Sequence, residues 1–376
     1  MFQFIRQYDW IIIAASLCLV AYGSILLYSA ALDSYPDGIA SLNHPAIRHI
    51  IFGAVGLVII LAVPYFDYRF FQQLAPILYI FGIILLLTVL FIGDQEFGST
   101  RWISVAGIPV QPSEFAKTFT IIALAKFLSD RRERIHEFPV LFLSLVVTAI
   151  PMALVLAEPD MGTAIVFGII WMFVIAAAGV PRKYLLSMIT VILISLPLFA
   201  GVVIDEYQRE RISLFFNPNQ DPLGGGFNIL QAEIGIGSGG LFGRGLTEGT
   251  QTQLNFLQTT TTDYIFSVLG EELGFVGAIL LFSLFIILLF RAIRIFSITT
   301  DLFGKLIAIG VIVMILSQVF INVAVNVRLI PVTGLPLPFI SQGGSSLLSI
   351  FFSLALLQAV GVHGKKKEKM YSFRSD

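Results

Sequence analysis

The sequence is short of charge. Of its 376 residues only 12% are Asp, Glu, Lys or Arg, and 57% are hydrophobic, whereas a soluble domain carries roughly 25% charged residues. That deficit excludes an ordinary water-soluble globule. The formal net charge is -1, so no basic stripe is available to neutralise the phosphates of a nucleic acid. Cysteine is almost missing: Cys18 stands alone in the first apolar run. It cannot form an intramolecular disulfide, and packing is its expected role. The chain also lacks a His/Cys cluster with metal-ligand spacing.

What the chain has is apolar length. A run of about 20 apolar residues spans the hydrocarbon core as a helix. Ten such runs are expected, at 10–31, 47–63, 74–92, 112–129, 138–157, 162–180, 184–203, 263–290, 305–326 and 344–362. The first is too long, and its "MFQFIRQYDW" start too weakly basic, for a cleaved signal peptide. The expectation is an all-α polytopic membrane protein, one membrane domain over 1–376.

Orientation follows from the basic residues, which favour the cytoplasmic side. With the N-terminus inside, that side receives Arg6, Arg69, "RRER" (131–134), Arg182, Lys183, Arg291, Arg294, Lys305, "KKKEK" (365–369) and Arg374. These are 15 of the 23 Lys and Arg, against six outside, with Lys117 and Lys126 inside the fourth span. Both termini are therefore expected in the cytoplasm. The outside then holds the long segments: 93–114, about 204–262 and 328–344. Loops of such length in a compact protein are usually functional or disordered. The frequency of aromatic and branched residues argues against disorder, and "FNILQAEIGI" has the spacing of a short helix on the membrane surface.

Ionisable groups inside spans are costly and usually line a cavity or pair with one another. Glu114 and Lys117 share a helix face at i, i+3, either as a pair that lets both be buried or as a cavity wall offering a cation to an anion. Glu158 and Asp160 bracket Pro159, as a solvated turn or as cavity lining. Asp263 opens the eighth span behind four threonines, in "FLQTTTTDYIFSVLGEELGF" (256–275). It or Thr260–Thr262 could cap that helix. Ser267, Gly270 and Gly274 follow it on one helical face, a small-residue face that could receive a substrate.

Five blocks carry a resemblance: "RWISVAGIPVQPSEFAK" (101–117), "AEPDMGTA" (157–164), "QAEIGIGSGGLFGRGL" (231–246), "TDYIFSVLGEELGF" (262–275) and "TGLPLPFISQGGSS" (333–346). In these blocks, their order and the large outside segment before the eighth span, the chain resembles the SEDS family (shape, elongation, division and sporulation). Its short N-terminal tail is like that of the elongation branch. It departs from the family pattern where "FLQTTTTDYIF" replaces "FLPE.HTDFIF", and where Gln342 replaces a common Tyr.

The resemblance implies a peptidoglycan glycosyltransferase that polymerises lipid II on the outer face of the bacterial cytoplasmic membrane. It implies a class B penicillin-binding protein and other elongation-complex membrane proteins as partners. The family's essential acid maps onto Asp263, its cavity pair onto Glu114 and Lys117, its "EPD" acid onto Asp160 and its tryptophan onto Trp102. The chemistry asks for one base on the acceptor hydroxyl and for cations on the departing pyrophosphate. Arg48, Arg101, Arg209, Arg211, Arg244 and Lys117 are the cations available on or near the outer side, and Glu158 joins the candidate substrate-binding residues. A divalent cation, Mg²⁺ or Mn²⁺, held by Asp160 or Asp263 would suit such carboxylates. Two other classes stay open: a flippase for the lipid-linked precursor, and a non-catalytic scaffold for the transpeptidase. Polymer made from lipid II in detergent, with no bilayer to flip across, separates the enzyme from both.

Overall fold

Apolar length decides most of the architecture, and carboxylates mark where many of the helices begin. The computed structural model describes residues 6–32, 42–96, 99–105, 107–188, 190, 206–221, 224–254, 256–257 and 259–364. Its long helices are α1 (Trp10–Ala30), α2 (Pro45–Ala62), α3 (Tyr68–Ile92), α4 (Pro112–Ser129), α5 (Phe138–Ala157) and α6 (Met161–Ala178). Three shorter ones follow, α7 (Glu206–Phe216), α8 (Gly225–Gly239) and α9 (Thr250–Gln253). The chain then returns to long helices in α10 (Ile265–Ile298), α11 (Leu302–Asn326) and α12 (Gly344–His363). Asp9, Asp67, Asp160 and Asp301 accept backbone N–H groups at the starts of α1, α3, α6 and α11. Each satisfies one of the four donors that a helix start leaves without partners.

Among the described residues, eight helices are long and apolar enough to cross a membrane. The helix α4, with 18 residues, is a ninth of spanning length, despite Glu114, Lys117 and Lys126. Nine of the ten expected spans thus coincide with helices. The seventh begins as a helix at 182–188, and the rest of it lies outside the described residues. The basic tail 365–369 and Arg374 lie outside them too. The chain is a multi-pass membrane protein.

Burial sorts the helices into centre and rim. In α11 and α12, 78% and 83% of the apolar window is buried, against 22% in α3 and 28% in α2. A helix apolar all round and buried belongs to a bundle core, and one with exposed Ile and Phe belongs against lipid. One buried cluster joins α1, α4, α6, α10, α11 and α12 through residues such as Leu19, Ile121, Val174, Leu281, Val311 and Phe351. The expected surface helix in "FNILQAEIGI" is present as α8, which packs on α10.

Strands were not anticipated. Three short strands between α3 and α4 form an antiparallel sheet: β1 (Asp94–Glu96), β2 (Ser99–Val105) and β3 (Ile108–Val110), in the order β1-β2-β3. Asp94 pairs with Trp102 and Ile103 with Val110. The sheet carries Arg101 and Trp102 to the mouth of the bundle between α3 and α4.

Candidate functional site

At the end of the bundle where α4, α10 and α12 begin, a cavity of about 470 Å³ opens among β2, α7, α8 and the segments 259–264 and 332–346. Asp263, Arg101, Trp102, Arg211, Gln111 and Gln342 stand on its wall. A second cavity of about 390 Å³ adjoins it, with Arg48, Asn43 and His49 on its far side. Trp102, Thr262, Gln342 and Gly343 line both.

The focus of the first cavity is Gly334, whose φ is +75°. A methyl group at this position would lie 3.1 Å from Arg101 Nη1, 3.6 Å from Arg211 Nη1 and 3.9 Å from Asp263 Oδ2. Two guanidiniums and one carboxylate therefore surround a single small volume. The absence of a side chain there leaves the space to a ligand. Each arginine is held by backbone. Arg101 Nε and Nη2 donate to the carbonyls of Glu158 and Pro159, and Arg211 Nη1 donates to the carbonyl of Val332 at 3.2 Å. Burial pushes the Asp263 carboxyl above its usual range, the charges of Arg211 and Arg101 oppose that rise, and Asp160 adds to it.

Of the expected site residues, Asp263, Arg101, Trp102 and Arg211 come together here, and Arg48 lines the adjoining cavity, donating to Asn43 Oδ1 at 2.7 Å. Others do not reach it. Glu114 and Lys117 form an ion pair at 2.7 Å, with side chains 1% and 0% exposed. That pair is not a cavity wall, and Lys117 is not the available cation expected of it. Separately, the Glu114 backbone carbonyl accepts Ser349 Oγ at 2.7 Å, which ties α4 to α12. Glu158 is wholly buried and contributes its backbone carbonyl, not its carboxyl, to the site. The Asp160 carboxylate takes Thr163 N–H, Thr163 Oγ1 and Gln111 Nε2, at 3.1, 2.9 and 3.3 Å. It caps α6 and steadies the cavity residue Gln111. Arg209 is exposed on α7, and Arg244 is exposed with Nη1 donating to Thr250 Oγ1; neither lines either of these two cavities.

Two further expectations are corrected. The helix α10 starts at Ile265 with no side-chain cap from its own residues. Ser267 N–H donates to Asn326 Oδ1 at 3.0 Å, so neither Asp263 nor the threonines cap it. The face of Ser267, Gly270 and Gly274 receives no substrate either. Gly270 is packed against Ile236, and Gly274 against the backbone of Leu241 and Gly243. Sequence reasoning missed Gln111, Asn322 and Asn326 because uncharged amides do not stand out in an apolar run. The i, i+4 repeat of Gln318, Asn322 and Asn326 in α11 was the signal available.

A similar fold and sequence occur in known proteins. The model of the FtsW/RodA/SpoVE family of cell cycle proteins matches residues 9–366. A probable peptidoglycan glycosyltransferase FtsW of Geobacter metallireducens is 35% identical over 370 residues, covering 96% of each chain. The peptidoglycan glycosyltransferase MrdB of Escherichia coli is 34% identical over 353 residues, with 94% of this chain and 93% of that one covered. Among solved structures, a chain of a peptidoglycan synthase complex studied for its coordination of polymerization and crosslinking superposes with a TM-score of 0.81. It shares 30% identity, with 96% of this chain and 99% of that chain covered. The rod shape determining protein RodA of Thermus thermophilus gives 0.68 at 28% identity, with 95% and 98% covered. The chain belongs to the FtsW/RodA/SpoVE family, the SEDS proteins.

Proposed function

We propose that this chain is a peptidoglycan glycosyltransferase that polymerises lipid II at the outer face of the bacterial cytoplasmic membrane, with Asp263 as the general base. One observation carries the reading: the carboxylate of Asp263 and the guanidiniums of Arg101 and Arg211 converge on the open volume above Gly334. The growing strand is a glycosyl donor on a lipid pyrophosphate, and the acceptor is a sugar 4-hydroxyl of lipid II. As the hydroxyl attacks the anomeric carbon, Asp263 takes its proton. The glycosyl–phosphate bond breaks, and the pyrophosphate leaves with its electron pair toward Arg101 and Arg211. Planar guanidiniums suit this task because they meet phosphate oxygens two at a time. The adjoining cavity with Arg48 supports a reaction of two lipid-linked substrates, each needing its own cation.

A divalent cation held by the protein does not fit this donor set. Both Asp160 oxygens are occupied by Thr163 and Gln111, and no group of three or more His, Cys, Asp or Glu able to hold a metal occurs among the described residues. Any Mg²⁺ or Mn²⁺ would arrive with the pyrophosphate, and no step here runs through it.

The orientation rests on charge: the cavities lie at the end opposite Arg69, Arg291 and the 131–134 cluster, which the positive-inside bias puts in the cytoplasm. The similarity to a chain of a peptidoglycan synthase complex that coordinates polymerization and crosslinking supports a crosslinking partner, which we take to be a class B penicillin-binding protein within a set of elongation-complex membrane proteins. FtsW and MrdB relatives are about equally similar to the chain. Purified protein in detergent, given lipid II, is expected to produce glycan polymer. A protein that is folded yet makes none, alone or with the transpeptidase, would return the flippase and scaffold readings to the front.

A further inference from the structure

The segment carrying Asp263 is fixed from outside its own helix. Three consecutive carbonyls accept donors from elsewhere. Thr261 O takes Gln342 N–H at 2.7 Å, Thr262 O takes Ser341 Oγ at 2.6 Å, and Asp263 O takes two side-chain amides. Those amides are Asn326 Nδ2 at 2.8 Å and Asn322 Nδ2 at 3.2 Å, one helical turn apart on α11 and only 1% and 2% exposed. Each works in two directions. Asn326 Oδ1 accepts Ser267 N–H at 3.0 Å and Ser267 Oγ at 2.7 Å, closing the first turn of α10. Asn322 Nδ2 also donates to Leu335 O at 2.8 Å, next to Gly334. The same pair of amides therefore locks the start of α10, the backbone of Asp263 and the 334–335 segment to one helix.

Such density of bonding exceeds what helix packing requires. A polar amide buried in a span costs free energy unless all its bonds are made, and a bundle core needs only apolar residues there. The bonds also converge on one residue, the one with the carboxylate in the cavity.

We infer that Asn326 and Asn322 are positioning residues for the Asp263 base, holding its main chain so that its carboxylate stays beside Arg101, Arg211 and the acceptor hydroxyl. The inference rests on the polymerase reading. It makes α11 the reference frame of the site, fixing the Asp263 backbone and, through Leu335, the Gly334 floor. A displacement of about 1 Å at a reacting group is enough to cost about 10²-fold in rate.

The test uses the full chain in detergent with lipid II, and three variants. Asn326→Asp keeps the acceptor for Ser267 but deletes the donor to Asp263 O. Asn322→Ala leaves the Asn326 bond in place and perturbs the fold least. Asp263→Asn reports on the base itself. Asn326→Asp is expected to lower kcat by about 10²-fold with KM unchanged, and Asn322→Ala to lower it less. The charged and titratable groups around Asp263 are Arg211, Arg101, Asp160 and Tyr264, with Glu210 on the wall of the same cavity. A carboxylate that drifts from the two arginines loses their support for its ionised form, so the acid limb of the rate profile moves to higher pH; the limb is read in Asn322→Ala, because the carboxylate introduced by Asn326→Asp moves it upward by like-charge repulsion alone. A purely structural role would lower melting temperature and leave that limb in place, and this result overturns the inference. So does wild-type kcat in folded Asn326→Asp and Asn322→Ala while Asp263→Asn is inactive. Activity in Asp263→Asn would instead remove the base reading on which the inference rests. If Asn326→Asp cannot be recovered folded, the limb of Asn322→Ala decides.

Discussion

Glu158 shows how much a single side chain can cost in this interior. Its carboxyl is fully buried, and neither oxygen has a hydrogen-bond partner among the described residues. Burial pushes it up to about 9, the neighbouring Asp160 charge adds to the rise, and Arg101 offsets part of it. It is neutral at pH 7, which removes it as a competing base for Asp263. The sign of the stability effect follows. The unfolded chain releases the Glu158 proton near 4.5 and the folded chain near 9, so between those values unfolding releases a proton. Stability contributed by the neutral form is complete below 4.5 and falls as pH rises toward about 9. Glu158→Gln cannot ionise. Its melting temperature is expected to match wild type near pH 4.5 and to exceed it increasingly toward pH 9, with a ceiling of about 1.4 kcal/mol per pH unit. A constant offset across that range would mean that Glu158 is ionised in the folded protein. The buried Glu114–Lys117 pair is the contrasting case, a carboxyl with a partner 2.7 Å away.

At the scale of elements, the kink in α10 governs how the long outer segment approaches the site. Gly274 has φ +62° and ψ -159°, a region that is essentially restricted to glycine. The helix there gives its backbone groups to the loop. Phe275 N–H and Val276 N–H donate to Gly240 O and Leu241 O, while Arg244 N–H and Gly245 N–H donate to Glu271 O and Glu272 O. The Glu271 carboxylate then gathers Thr250 Oγ1, Gln251 N–H, Thr252 N–H and Thr252 Oγ1. Gly274→Ala would place a methyl group 2.3 Å from Gly243 N. It is expected to cost about 1–3 kcal/mol from backbone strain, seen as a lower melting temperature, and to reduce polymerisation with it; an unshifted melt would contradict this account of the kink. Nine spans were legible because a 20-residue apolar run has few alternatives. The sheet between α3 and α4 was not, since its short strands carry no long period, and the capping of α10 was not, since its cap comes from Asn326, 59 residues away. Charge also misled: Lys117 and Arg244 read as available cations, yet one is sealed in an ion pair and the other lies on the outer loop. Asp263, Arg101 and Trp102 were legible because the motifs that hold them are long.

Across the whole molecule, polar chemistry divides between the two ends of the bundle. One end is stitched by Arg291 to Asp9 at 2.6 Å, Arg69 to Asp67 at 3.2 Å and Lys126 to Asp130 at 2.9 Å. Exposed pairs of the last two kinds are worth little, so they mark a wetted surface and not a source of stability. The other end holds both cavities, the two arginines and Asp263. Between them, α11 and α12 are the most buried helices, and α11 carries the amides that pin Asp263. A flippase would need polar groups along a path between the ends, whereas here the carboxylate and its cations gather at one. The measurement that bears most directly on this account is lipid II polymerisation by purified Asp263→Asn, with its melting temperature taken on the same sample. Asn keeps the size of the side chain, and the α10 start does not depend on the Asp263 carboxylate, so the melt is expected to stay at the wild-type value. Without a base, the rate is expected to fall by about 10²–10⁴-fold. Substantial polymer from a normally melting Asp263→Asn would contradict the assignment of Asp263 as the base, and with it the account of this site.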